Sequence, residues 1–385
     1  MDWDARFAER MAQVAPSPIM AMMRVLGQRP VINFATGLPD PGGFPAKAMR
    51  EAAAQALEED WRGGLQYGEG EGLRPLRDWV AADLAARGVP TAGDDVVITN
   101  GSQQGVDLVG RALLQRGDIV LTEDPTYLAA LQVFASFEAT VRPLPTDADG
   151  LDPDAAARAL RQPGVKLLYT MPNHQNPSGI TLAPERRKPI LRAAREAGVP
   201  ILADEAYLHL RYEPGEPAPL AAADPEAPVI TAGTFSKIIA PGLRVAWLAG
   251  PPAAMQRLGL LKQVTDLHAN SLTQRMVHRY LATGQLPEQV AALRVANGAK
   301  RDAFLQALEK RLTGLAAWSR PVGGMFLLLR LPKGQDATAL LPAALEHGVA
   351  YVPGAPFFAA GGGDETMRLN FVSPSTSEIP EGVER

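Results

Sequence analysis

An α/β fold with a mostly parallel sheet is predicted from two features of the chain. Seven short, β-branched runs recur between residues 95 and 250, and helical patterns lie between most of them. The 385 residues also exceed what a single hydrophobic core usually organises, so a smaller α+β domain is expected beside the sheet.

From the N-terminus, IMAMMRVL (19–26) reads as a short helix, and VINFA (31–35) as a strand running into the Gly- and Pro-rich TGLPDPGGFP. Small and charged residues alternate at helical spacing from Ala46 to Glu59. The strand candidates are DVVIT (95–99), DIVLTE (118–123), ATVRPL (139–144), VKLLYT (165–170), PILAD (200–204), VITAG (229–233) and RVAWLAG (244–250). QQGVDLVGRALLQ (103–115) and ERRKPILRAAREAG (185–198) are two of the intervening helices. The Pro/Ala-rich GEPAPLAAADPEAP (215–228) reads as a surface loop. From about residue 276 a long helical region reaches residue 312. The strand GGMFLLLRLP, the helix ATALLPAALEHG and the strands VAYVP and TMRLNFV follow. The chain stops at EGVER, where a helix begins, so a closing helix is expected to be missing.

Composition narrows the function. A net charge of −4 supplies no basic field for nucleic acid, and no run of about 18 apolar residues predicts a membrane span. The mixed-charge N-terminus lacks the layout of a signal peptide, and a soluble cytoplasmic protein is expected. There is no cysteine, and the five histidines show no metal-ligand spacing, so no metal is expected.

Six segments carry chemistry, five of them at or just after the ends of predicted strands, where open α/β sheets gather ligands. In TFSKIIAPGLR (234–244) the Lys237 amine can condense with an aldehyde. Thr234, Ser236 and Arg244 offer donors that suit a phosphate. In ILADEAYLHL, Asp204 can hold a protonated ring nitrogen, and Tyr207 can reach a neighbouring ring oxygen. TNGSQQG (99–105) opens a helix, where backbone N–H groups and Ser102 can bind phosphate. Asn176, in YTMPNHQNPSG, can donate to a phenolic oxygen, and Arg368, in ETMRLNFV, can hold a carboxylate. Tyr127 of EDPTY can stack on a planar ring. Each also has an ordinary structural explanation. Lys237 and Arg244 suit an exposed surface, Asp204 a helix N-cap, Ser102 a helix start, Asn176 an Asx turn, Arg368 a salt bridge and Tyr127 a loop aromatic.

Taken in order, GSQQG, EDPTY, NPSG, DEAY, TFSKIIAPGLR and MRLNF resemble the fold-type I, class I/II aminotransferases. The resemblance is to the subgroup of 2-aminoadipate and kynurenine aminotransferases. NFATGLPDP, LQYGEGEGLRPLR, TDLHANSLTQ, PVGGMF and YVPGAPFF add to it, so that it covers residues 20 to 375. It implies a large pyridoxal-phosphate (PLP) domain with a mostly parallel seven-stranded sheet over residues 46–280. A small domain (281–385) and an arm (1–45) contributing to the small domain and the substrate site complete it. It also implies a Schiff base and proton shuttle at Lys237, Asp204 on the pyridine nitrogen, and Asn176 and Tyr207 on the ring oxygen. Tyr127 stacks on the ring, and Ser102, Gln103, Thr234, Ser236 and Arg244 cradle the phosphate. Arg368, Asn176 and the Gly37 backbone take the substrate carboxylate. Tyr67 reaches the neighbouring site of a homodimer, and the substrates are amino and 2-oxo acids, with 2-oxoglutarate as acceptor. Relatives that accept acidic side chains can carry an arginine where Ala21 aligns, with Arg24 three residues away, so of the aliphatic, aromatic and 2-aminoadipate-like donors that the resemblance implies, an aliphatic or aromatic one is favoured. The fold also accommodates lyases and decarboxylases, and the PLP-sensing domains of transcription regulators, which need a winged helix ahead of it.

Overall fold

The computed structural model of the protein describes residues 1–14, 16, 20, 22, 31–215 and 218–385. In chain order its strands are β1 (Ile32–Asn33), β2 (Val96–Thr99), β3 (Ile119–Glu123), β4 (Thr140–Leu144), β5 (Thr146–Asp147), β6 (Gly150–Leu151), β7 (Val165–Thr170), β8 (Ile201–Asp204), β9 (Val229–Thr234) and β10 (Ala246–Ala249). The seven expected strands form one sheet, ordered β2-β10-β9-β8-β7-β3-β4. Only β10 runs antiparallel to its neighbours.

Strands β8 and β9 are buried along their whole length, and their side chains divide by face. Leu202, Ile230 and Ala232 point into one core, while Ile201, Ala203 and Val229 point into another. Burial on both faces explains why these strands read as continuous apolar runs rather than alternating ones. Pro143 sits in β4, at the sheet edge, where a missing ladder donor is tolerated.

A second, antiparallel sheet contains β11 (Ala317–Trp318), β12 (Phe326–Arg330), β14 (Val352–Pro353) and β15 (Thr366–Asn370), in the order β11-β12-β15-β14. Strand β13 (Val349–Ala350) instead pairs in parallel with β1. That pairing ties the N-terminal segment to the C-terminal part of the chain. Asn370 reinforces it by donating to the carbonyls of Thr36 and Leu38, as does the Lys300–Asp40 ion pair at 2.6 Å.

Several local expectations change. VINFA is a strand for two residues only, because the Asn33 carboxamide oxygen accepts from the Ala35 and Thr36 N–H groups and turns the chain. The long helical region breaks at Gly284, in the left-handed conformation, into Ser271–Ala282 and Leu286–Leu312. VAYVP forms two short bridges in different sheets. The 215–228 segment is not simply a surface loop. Leu220, Ala221 and Ala227 are buried, and the Ala218 carbonyl accepts from Asn173 and Arg187. The terminal residues do form a helix, Glu378–Glu384, with Ile379 buried. The helix expected at 19–26, including Ala21 and Arg24, lies largely outside the described residues. Among the described residues no helix is long and apolar enough to cross a membrane.

Candidate active site

One edge of the large sheet collects the chemistry. The carboxyl ends of β2, β3, β7, β8 and β9 lead directly to Ser102, Tyr127, Asn176, Tyr207 and Lys237. Arg244 precedes the amino end of antiparallel β10, where Ala246 lies opposite both Thr99 and Thr234. One cavity there is lined by Ser102, Gln103, Tyr127, Asn176, Asp204, Tyr207, Thr234, Ser236, Lys237 and Arg244, together with Met171, Ala206 and Pro241. Ten of the residues expected at the site are thus brought together.

The turn after β9 aims the lysine. Thr234 Oγ1 accepts from the Ser236 N–H at 3.1 Å and donates to Ser236 Oγ at 2.9 Å. Lys237 Nζ donates to the Gly37 carbonyl at 3.1 Å and lies 5.9 Å from the centroid of the Tyr207 ring. Removal from water, helped by the guanidinium groups of Arg368 and Arg244, lowers this amine to about 8, with Asp204 opposing the shift. Such an amine is about one-tenth neutral at pH 7, far more than a lysine at its ordinary 10.5, and that fraction is nucleophilic.

Asp204 is buried, and burial raises its carboxyl to about 6. One oxygen accepts from the Ala206 N–H at 3.2 Å, the other from the Tyr169 hydroxyl at 3.0 Å. The expected N-cap alternative is replaced by this short turn. A carboxylate so fixed at the cavity wall suits a protonated ring nitrogen. Tyr169 was not singled out by sequence reasoning, although it is the penultimate residue of β7, next to β8, and lies opposite Leu202.

The other end of the cavity suits a phosphate. Ser102 is the first residue of the helix Ser102–Leu113, preceded by Gly101 at φ 84°. A Cβ on Gly101 would collide with Arg244 Nη2, so only glycine admits the guanidinium there. Arg244 itself donates only to the carbonyls of Pro241 and Asn100, at 3.3 and 3.4 Å, and no carboxylate pairs with it among the described residues. A guanidinium without a carboxylate partner, a helix N-terminus and the hydroxyls of Ser102, Thr234 and Ser236 in one cradle fit a phosphate dianion.

Arg368 lies beside the cavity and is 1% exposed. It donates to Asn176 Oδ1 at 3.1 Å and to the Ala35 carbonyl at 2.7 Å. Its guanidinium carbon lies 4.3 and 5.1 Å from the ring centroids of Phe326 and Phe357, and Nε has no partner among the described residues. The salt-bridge alternative fails, since no carboxylate pairs with it among the described residues. Desolvation lowers this group to about 10. Tyr67 is not brought into the cavity of its own chain. It is 76% exposed, edge-on to His268 at 5.8 Å.

Glu123, also missed by sequence reasoning, lies buried behind the site and accepts from Thr170 Oγ1 and the Met171 N–H at 2.8 and 3.0 Å. Burial raises its carboxyl to about 7. A group with a higher pKa in the folded chain adds stability that is full below its ordinary value, 4.5, and is lost as pH rises through about 7. Melting temperature is therefore expected to fall across that window, and to fall less in Glu123→Gln. Melts of both proteins over the window check this, and an unchanged slope in the variant counts against Glu123.

Known proteins resemble this chain along its whole length. Residues 29–385 match the family described as aminotransferase class I and II. An aromatic-amino-acid aminotransferase 1 of Thermococcus litoralis is 38% identical, over 100% of this chain and 94% of that protein. A 2-aminoadipate transaminase of Thermus thermophilus is likewise 38% identical, over 100% and 96%. The crystal structure of LysN, an alpha-aminoadipate aminotransferase from Thermus thermophilus complexed with N-(5'-phosphopyridoxyl)-L-leucine, superposes with a TM-score of 0.92. It is 36% identical and is covered to 96% by the whole of this chain. The chain belongs to the class I and II aminotransferases, PLP-dependent enzymes of fold type I.

Proposed function

We propose that the chain moves the amino group of an apolar L-amino acid, aliphatic or aromatic, to a 2-oxo acid, with 2-oxoglutarate as the acceptor. The observation that carries this is Arg368. A guanidinium removed from water is costly without an anion, and among the described residues this one has only neutral partners, a free Nε and a place beside Lys237. The α-carboxylate of an amino acid supplies the missing charge.

PLP, when bound, supplies the aldehyde and the electron-accepting ring. In this reading Lys237 holds it and carries the proton to and from the substrate Cα. Asp204, steadied by Tyr169, faces the pyridine nitrogen, Asn176 and Tyr207 hold the ring oxygen, and Tyr127 covers the ring. Ser102, Gln103, Thr234, Ser236 and Arg244 take the phosphate. Arg368, with Asn176 and the Gly37 backbone, takes the carboxylate. The division into an arm (1–45), a large domain (46–280) and a small domain (281–385) belongs to the same proposal, as does a cytoplasmic location.

The apolar preference rests on a cavity of about 230 Å³ that also opens on Lys237, where Leu210, Leu293, Ala296, Met325 and Val372 outnumber Asn297 and an Asp40 already paired with Lys300. LysN's phosphopyridoxyl-leucine complex shows an aliphatic side chain in a similar fold. A donor panel of leucine, valine, phenylalanine and 2-aminoadipate, each with 2-oxoglutarate, tests the proposal. Keto acid and glutamate are expected in equal amounts. Ammonia or CO₂ release would make the chain a lyase or decarboxylase, and 2-aminoadipate far outpacing the other donors would overturn the apolar preference.

A homodimer with shared sites is also proposed. Leu65, Tyr67, Val264 and Leu267 are exposed, and Tyr67 leans on His268 just beyond the helix that carries Val264. Light scattering is expected to give twice the chain mass. Co-refolding Lys237→Ala with Tyr67→Ala is expected to restore one intact site per hybrid and measurable activity. Mixtures no more active than the separate variants count against sharing.

A further inference from the structure

Asp266 lies outside the cavity, at the end of the helix Pro252–Asp266, yet its carboxylate anchors the loop that forms the phosphate cradle. One oxygen accepts from Asn100 Nδ2 at 2.7 Å and from Gln104 Nε2 at 2.6 Å. The other accepts from Lys262 Nζ at 2.5 Å. Gln104 Oε1 in turn accepts from the Asn100 backbone N–H at 2.8 Å. Asn100 is therefore held at both backbone and side chain, leaving its carbonyl to accept from Arg244 Nη2. The next residue, Gly101, has no room even for a Cβ against the same guanidinium.

We propose that Asp266 is a positioning residue for the cofactor's phosphate, acting through Asn100 and Gln104 on the Asn100–Ser102 loop and on Arg244. The proposal rests on the reading of the cavity as a PLP site. The ion pair with Lys262 matters to it. Lys262 is fully buried, and its ammonium balances the carboxylate, so no uncompensated negative charge stands behind a seat meant for a dianion. Charge-assisted hydrogen bonds to a fixed carboxylate hold the loop more firmly than neutral ones would.

The test compares release of PLP and of pyridoxal, which lacks the phosphate, from the loaded enzyme diluted into a cofactor trap. In Asp266→Asn, PLP release is expected to quicken about tenfold, the loss of one charge-assisted hydrogen bond. Pyridoxal release is expected to stay as in the wild type. Gln104→Met keeps the Lys262–Asp266 pair and the direct bond from Asn100 Nδ2, and removes the link through Gln104 to the Asn100 backbone N–H. It should show the same selective loss, and it serves as the test should Asp266→Asn fail to fold. Equal acceleration for both cofactors, as a merely structural role predicts, overturns the proposal. So does a wild-type preference for PLP that survives in both variants. A wild-type enzyme that holds PLP no better than pyridoxal overturns the cofactor reading itself, and this inference with it.

Discussion

Replacing Lys237 by alanine is expected to lower transamination turnover by about 100- to 10,000-fold, the contribution of a positioned proton carrier. Among the residues lining the cavity, Lys237 is the only amine. Its pKa of about 8 leaves Nζ able both to take and to return a proton near neutral pH. Borohydride reduction followed by peptide mapping reads the same residue independently of turnover. A pyridoxyl adduct on Lys237 in the wild type, and none in Lys237→Ala, is the expected result. An adduct on another lysine would refute the assignment. The pH dependence adds a sign. Because the amine is lowered from 10.5 to about 8, capture of PLP by the cofactor-free chain should accelerate as pH rises through about 8 and then level off. A rise centred near 10.5 would mean an exposed, ordinary lysine.

The sheet and most of the site are legible in the sequence for one physical reason. A parallel sheet aligns the carboxyl ends of its strands, so loops at 99–102, 124–127, 171–176, 205–207 and 235–237 must converge wherever those strands pair. The segments can therefore be read one at a time, and β-branched runs followed by Gly, Ser, Asp or Asn mark them. What stays hidden depends on partners distant in sequence. The Tyr169–Asp204 bond requires the register of β7 on β8, which no local pattern encodes. Glu123 looks like the end of a strand until its donors arrive from Thr170 and Met171. The 215–228 segment has the composition of a loop. It is partly buried because the Leu220 N–H and the Ala218 carbonyl satisfy Glu205 and Arg187. Asp266 belongs to a helix whose exposed neighbour Val264 gives no hint that the turn beside it anchors Asn100.

Arg368→Leu is expected to reduce kcat/KM for amino-acid donors by about 100- to 1,000-fold, the scale of losing one partner of a desolvated, charge-assisted pair while the other stays behind. The loss should fall on amino acids and not on amines. A primary alkylamine, which has no α-carboxylate, meets nothing at Arg368, so its slow turnover should be nearly unchanged and the ratio of the two substrates should collapse. Arg368→Lys should recover little. An ammonium keeps the charge but not the planar fork that grips both carboxylate oxygens, nor the flat face that stacks between Phe326 and Phe357. Stability provides the counter-check. Among the described residues this guanidinium has a carbonyl and a carboxamide as hydrogen-bond partners, two aromatic rings and no carboxylate, so removing the charge relieves a cost rather than breaking an ion pair. The melting temperature of Arg368→Leu without ligand should therefore equal or exceed that of the wild type. A variant that loses activity on amino acids and alkylamines alike, or that melts well below the wild type, would show Arg368 to be a structural residue and would remove the main support for carboxylate recognition. A variant that melts normally and loses only amino acids fixes Arg368 as the group that selects the substrate's carboxylate, leaving the apolar cavity beside Lys237 to select the side chain.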